Sequence, residues 1–248
     1  MVRMLRLSFV VSAVALAGCA AHGAGARRAP LPEVKLELLT PGVWLHTSHR
    51  VLPGYGLVSS NGLVLATEGG AVLIDTAWGK DQTEVLIGLV EEEVGPLVAV
   101  VVTHFHDDRT AGLAPLHARG VPSYSSRRTA VRSQQRGGIA AQHLFSGHLP
   151  LEPLGLEGEV FFPGRGHTHD NVVVWLAGPR VLFGGCLVKS ADAESLGNTA
   201  DADLAAWPGT IERLWGRYER VRIVVPGHGR PGTRMLLAHT RALVKPGP

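Results

Sequence analysis

Cysteine is scarce: 248 residues contain only Cys19 and Cys186, which rules out a disulfide framework. Long apolar runs are missing too, since the run from Leu7 to Ala17 is too short to cross a bilayer. Neither sign of charge dominates. Lysine and arginine number 24 against 21 aspartates and glutamates, a formal net charge of +3, and that balance suggests no nucleic-acid partner. Loss of residues 1–18 would remove Arg3 and Arg6 and lower the net charge to +1. There is no internal repeat and no low-complexity tract. With 45% hydrophobic residues, the remainder has ample core for one large α/β domain.

Zinc-capable side chains are present, and they sit at strand ends. His104-Phe105-His106-Asp107-Asp108-Arg109-Thr110 follows the apolar, β-branched run Leu97–Val102, which reads as a buried strand. His104, His106 and Asp108 are two residues apart, so a chain leaving the strand can turn all three toward one point. Two neutral imidazoles and a carboxylate suit Zn²⁺. Alone, the heptapeptide could also be a polar loop capping a strand. It has company, however, in Gly166-His167-Thr168-His169-Asp170-Asn171, Gly184-Gly185-Cys186-Leu187-Val188-Lys189 and Pro226-Gly227-His228-Gly229. These lie beside the strand-like runs Glu159–Phe162, Val172–Leu176, Val181–Phe183 and Val221–Val225. Four separate strand ends each offering a ligand is the pattern of loops converging on one site.

With these motifs in view, the chain resembles the metallo-β-lactamases, and in detail the first subclass of the class B enzymes. The resemblance runs from about Val43 to the last helix. It also takes in Ile74-Asp75-Thr76-Ala77-Trp78-Gly79 and Gly197-Asn198 followed by Asp201-Ala202-Asp203. Glyoxalase-like and lactonase-like relatives place His directly after the motif's last Asp. Here Arg109 stands there, and the Cys186 thiolate replaces the missing ligand, which argues for a β-lactamase.

The resemblance implies two zinc ions per chain, one held by His104, His106 and His167 and the other by Asp108, Cys186 and His228. It implies hydrolysis of the β-lactam amide by zinc-supplied hydroxide, without a covalent enzyme intermediate. Asp108 would orient the hydroxide or move its proton. Lys189 would meet the substrate carboxylate, and Asn198 would donate to the lactam carbonyl as an oxyanion contact. Asp75 and Arg109 would hold the ligands in place through hydrogen bonds, Arg109 by pairing with Asp75 or donating near Cys186. Tyr55 lies in Leu52-Pro53-Gly54-Tyr55-Gly56, which matches the family's flexible flap, taken here as Ser48–Asn61; with Trp78 it would give apolar contact to the substrate. His169 mimics a His-x-His pair with His167, but only His167 is a ligand in the family pattern. The remaining histidines, His22, His46, His49, His117, His143, His148 and His239, have no partner motif.

The amino terminus reads as an export signal, with Arg3 and Arg6 ahead of the apolar run. Leu16-Ala17-Gly18-Cys19 resembles a bacterial lipobox, which would make Cys19 the acylated first residue of a periplasmic, membrane-anchored lipoprotein. The alternative is a simple signal peptide cut among the nearby alanines. The expected organisation is a signal over 1–18, a flexible tether over 19–32 and a catalytic domain over 33–248, monomeric and with no membrane contact beyond the lipid. Helices are expected over Lys80–Val94, with Val85, Leu86, Leu89 and Val90 inward, over Asp201–Glu219 with a break or restart at Pro208, and over Met235–Val244. Asp201 or Asp203 is a fair N-cap for the second. Periodicity alone indicates α/β, and the resemblance implies an αββα sandwich, two mixed sheets flanked by helices. Two other functions fit the residues: another hydrolase of the same fold, such as a thioesterase or lactonase, or a zinc-binding surface lipoprotein without catalysis.

Overall fold

The computed structural model describes residues 30–244. The expected signal, the lipobox with Cys19 and most of the tether lie outside the described residues. In chain order the strands and helices are β1 (Lys35–Thr40), β2 (Val43–Leu52), β3 (Gly56–Thr67), β4 (Gly70–Ile74), α1 (Lys80–Glu93), β5 (Leu97–Val101), α2 (Asp107–Thr110), α3 (Leu113–Ala118), β6 (Ser123–Ser126) and α4 (Arg127–Gln135). They continue with β7 (His143–Phe145), β8 (His148–Pro150), β9 (Gly158–Phe161), β10 (Val173–Leu176), β11 (Val181–Gly185), α5 (Trp207–Arg217), β12 (Ile223–Pro226) and α6 (Met235–Leu243).

Both sheets are mixed. The first runs β1-β2-β3-β4-β5-β6-β7 and turns from antiparallel to parallel at β4, while the second runs β12-β11-β10-β9-β8 with only β11 and β12 parallel. Period-two alternation then divides the apolar residues between layers. Leu63, Leu65, Val72 and Ile74 face Val174, Val181, Phe183 and Val225 between the sheets. Val64, Leu73 and Val100 turn the other way, onto Leu86, Ile87 and Val90 of α1 and Leu113 and Leu116 of α3. Val173, Leu182 and Val224 pack outward against Trp207, Ile211 and Leu214 of α5 and Leu236 and Leu237 of α6. The result is helix, sheet, sheet, helix. Truncating a fully buried leucine such as Leu63 to alanine would cost about 2–5 kcal/mol.

Two local expectations are corrected. In α1 the buried stripe is Thr83, Leu86, Ile87 and Val90, a regular i, i+3, i+4, i+7 set; Leu89 is only half-buried and Val85 faces solvent. The helix expected from Asp201 begins at Trp207, with Pro208 in its first turn, where a missing N–H costs nothing. Ala206 is the residue before it. Asp203 supports this start from outside, its Oδ1 accepting from the Ala206 N–H at 3.0 Å and its carbonyl from Trp207 at 3.0 Å.

Candidate metal centre and cavity

The parallel strand pairs β4 with β5 and β11 with β12 end on loops that meet, and those loops carry the chemistry. After β5 the chain bends through His104–His106, then closes one helical turn in which the Arg109 and Thr110 N–H groups donate to the His106 carbonyl. That turn buries Asp108 and Arg109 and leaves Asp107 outside. The loop before β10 is tied by its own polar groups: the Asn171 carboxamide accepts from Thr168 N at 3.0 Å and donates to Gly164 O at 2.8 Å, which presents His167. Asn61 of β3 bridges to the loop after β12, donating from its backbone to Gly227 O and from Nδ2 to Pro226 O and Gly229 O, on either side of His228.

Six potential donors converge. His106 Nδ1 is 3.2 Å from His104 Nε2 and 3.1 Å from His167 Nε2. Cys186 Sγ is 3.2 Å from His228 Nε2 and 3.6 Å from Asp108 Oδ2, and His228 Nε2 is 3.3 Å from that same oxygen. Donors bonded at about 2.0–2.3 Å around one tetrahedral zinc stand roughly 3.3–3.7 Å apart, and these separations of 3.1–3.6 Å lie at or slightly inside that spacing. The two trios also interleave, because the donor atoms of His104, His167 and Cys186 lie within 4.8 Å of one another, as do those of His104, His106 and Asp108.

Electrostatics favour metal over protons at these nitrogens. Burial, helped by neighbouring positive groups, holds His104 and His167 well below the ordinary histidine range, and burial brings His228 down to about 4. All three are neutral, ligand-competent imidazoles near pH 7. Burial opposes ionisation of Asp108, but Arg109 at 2.8 Å overcomes it and holds the carboxylate well below its usual range. Burial pushes the Cys186 thiol up to about 12 despite Arg109, so a metal at this sulfur would have to displace its proton, as zinc does.

The imidazoles are anchored from behind, which is how ligand rings are oriented. His104 Nδ1 meets Thr103 Oγ1 at 3.2 Å, and that hydroxyl donates to Asp75 Oδ2 at 2.8 Å. Asp75 also accepts from the Thr103 N–H at 2.7 Å, and its backbone is held left-handed at φ 61°. His106 Nε2 meets Asp201 Oδ2 at 3.0 Å, and His228 Nδ1 donates to the Ser59 carbonyl. Arg109 is fully buried and reaches Asp75, Asp108, Cys186 Sγ and the carbonyls of Asn61 and Gly227.

Residues 55–228 match the family described as the metallo-beta-lactamase superfamily. The chain belongs to that family. It is 41% identical over 213 residues to a metallo-beta-lactamase type 2 of Bacillus cereus, covering 86% of this chain and 83% of that one. It is 36% identical over 222 residues to one from Pseudomonas aeruginosa, covering 90% and 87%. Among solved structures, a metallo-beta-lactamase from Pontibacter korlensis superposes with a TM-score of 0.83 at 42% identity, over 86% of this chain and 99% of that one.

In this metallo-β-lactamase chain the donor cluster lies in a cavity of about 570 Å³, a size suited to a drug-like ligand. His106, His167, Asp108, Cys186 and His228 line it, together with Lys189, Asn198, Tyr55 and Trp78. Lys189 is half-buried, and burial lowers its ammonium pKa against the opposing pull of Cys186 and Asp108. Asn198 is exposed at the rim and caps a turn, its Oδ1 accepting from Ala200 N at 3.1 Å. Tyr55 stands exposed at the tip of the β2–β3 hairpin, whose register closes at Leu52 opposite Gly56. Trp78 is buried, its ring 6.2 Å from that of His228. His169 joins none of the donor groups.

Asp201, Thr103 and Asp170 make contacts at the site that the sequence does not assign to them. Asp170 is buried and accepts the Phe105 N–H at 3.0 Å, tying the His167 loop to the His104 loop. Spacing offered no signal for these contacts, because the partners lie up to 95 residues apart.

Proposed function

We infer that this chain is a zinc-dependent β-lactamase that hydrolyses the amide of penicillins, cephalosporins and carbapenems. One observation carries the reading: three histidines meet through His106 beside an Asp-Cys-His trio, and all of these but the buried His104 line a cavity that also holds a lysine. His104, His106 and His167 would hold one zinc, and Asp108, Cys186 and His228 a second. Zinc there supplies Lewis acidity for the lactam carbonyl and a water acidic near neutrality.

The chain's own groups do the rest. Lys189 receives the carboxylate that these drugs share, so the lactam is oriented before it reacts. The Asn198 carboxamide donates to the lactam carbonyl as negative charge builds on its oxygen. Asp108, its Oδ2 held by Arg109, would orient the hydroxide or move its proton. Tyr55 and Trp78 give apolar surface to variable drug side chains, and Asp75 and Arg109 keep the ligand loops in register. We further propose that the enzyme is exported to the periplasm as a monomer anchored through acylated Cys19.

Purified residues 20–248 should bind about two zinc ions and open nitrocefin and imipenem. A chelator should abolish turnover, and added zinc should restore it. Zinc-loaded protein that opens neither compound but cleaves a thioester or lactone would overturn the reading.

A further inference from the structure

Three of the four histidines in the donor cluster are oriented by a hydrogen bond on the nitrogen that faces away from it: His104 by Thr103, His106 by Asp201, His228 by Ser59. His167 is the exception, because its Nδ1 is buried without a hydrogen-bond partner among the described residues. What it has instead is Trp207, whose ring lies edge-on at 6.0 Å between centroids. The same indole is the platform for Lys189, whose Nζ stands 5.5 Å from the ring centroid, within cation–π range.

The indole is itself locked. Trp207 is fully buried, and its Nε1 donates to the Leu187 carbonyl at 3.0 Å, in the loop between Cys186 and Lys189. The His167 loop is moulded to it from the other side. A Cβ on Gly166 would come within 2.4 Å of Leu187 Cδ1 and 3.1 Å of Trp207 Cδ1, so glycine lets the loop lie against both side chains without displacing either.

We propose that Trp207 is a positioning residue that sets two parts of the site at once, the His167 imidazole by packing and the Lys189 ammonium by its π face. The ring replaces the hydrogen bond that His167 lacks, and it aims a lysine that would otherwise sample many rotamers. The Lys189 half rests on the β-lactam reading above; the His167 half rests on the donor cluster alone.

The test compares Trp207→Phe and Trp207→Leu with the parent, reading zinc affinity by chelator competition and, separately, KM and kcat for imipenem. Trp207→Leu should weaken binding of the zinc assigned to His104, His106 and His167 about 10-fold and raise KM about 10-fold, with kcat at saturating zinc much less affected. Trp207→Phe, which keeps an aromatic face, should recover most of both. Zinc affinity and KM both within twofold of the parent in Trp207→Leu would overturn the proposal.

If Trp207→Leu does not fold, fluorinated tryptophan can be incorporated into the parent and into Lys189→Ala, which weakens the π face without changing ring shape. KM should rise with fluorination in the parent only, and an equal response in both backgrounds would refute the Lys189 half. A parent that opens no β-lactam defeats the functional reading instead, and the zinc measurements still decide the His167 half.

Discussion

Arg109 donates from Nη2 to the Sγ of Cys186 at 3.0 Å, with both side chains shut off from solvent. A buried guanidinium facing a buried thiol prepares that sulfur to ionise when a cation arrives, and the same fork neutralises Asp108 at 2.8 Å and Asp75 at 3.3 Å. Arg109→Ala would strand two buried carboxylates. We expect a loss of about 3–5 kcal/mol of stability together with weakened metal binding at Asp108, Cys186 and His228. Arg109→Lys keeps the charge but not the fork, and should rescue stability only in part. Denaturant unfolding alongside zinc titration checks both, and an Arg109→Ala protein as stable as the parent would contradict the account.

Asp201 reaches His106 Nε2 at 3.0 Å while Arg136 grips its carboxylate at 2.8 and 3.0 Å. Removing an anchoring carboxylate of this kind typically lowers metal affinity 10- to 100-fold. Asp201→Ala should therefore release zinc at lower chelator concentration. Its unfolding free energy should move by less than about 1 kcal/mol, because Arg136 is largely exposed and such pairs are weak. Unchanged zinc affinity would remove Asp201 from the site.

The ligand loops were legible in the sequence because each follows a local pattern: a β-branched run, then a turn, then His, Asp or Cys. The αββα layering needed the family resemblance, since periodicity yields only element types. The supports behind the ligands were not legible. Asp201 looks like a helix cap from its neighbours, yet its carboxylate is drawn away by His106 and Arg136, so the helix starts six residues later at Trp207. Helix α4 escaped notice because its sequence, Arg127–Gln135, is polar almost throughout; it is capped by Ser126, which accepts from Thr129 N, and buries only Thr129, Ala130 and Ser133. Hydrophobicity alone points Val85 inward, but helical phase gives that place to Thr83.

Gly227 lies where a Cβ would stand 2.7 Å from both Cys186 Sγ and Arg109 Nη2, and 2.6 Å from Cys186 N. One methyl group therefore has to displace the thiol or the guanidinium. Gly227→Ala sets the loop after β12 against both the Cys186 turn and Arg109 of α2, so it should lose some stability as well as the zinc at Cys186 and most turnover. Metal analysis on the folded variant reads the loss of zinc and nitrocefin hydrolysis the loss of turnover; retention of two zinc ions with full activity would show that the loop yields without disturbing Cys186.

His46 predicts an acid-labile step away from the metal centre. It is fully buried beneath β4, with Nε2 at 3.1 Å from the Asp75 carbonyl and 3.4 Å from that of Ile74. Two acceptors require Nε2 to carry the hydrogen, so Nδ1 is the protonation site, and Nδ1 has no partner among the described residues. A charge there would be buried and unbonded, and burial accordingly brings the His46 pKa down from 6.5 to about 4. Below pH 6.5 the unfolded chain takes up a proton that the folded chain refuses. Stability from this residue is thus complete above pH 6.5, falls by about 1.4 kcal/mol per pH unit as the pH drops, and levels off near pH 4. The loss over that window is about 3 kcal/mol. His46→Gln can donate an N–H to the same carbonyls but does not titrate, so the difference in unfolding free energy between parent and variant should narrow steadily from pH 7 to pH 4. The acid responses of His104, His167 and His228 cancel in that difference, and a constant difference across the window would mean that His46 is protonated in the native state or does not titrate there.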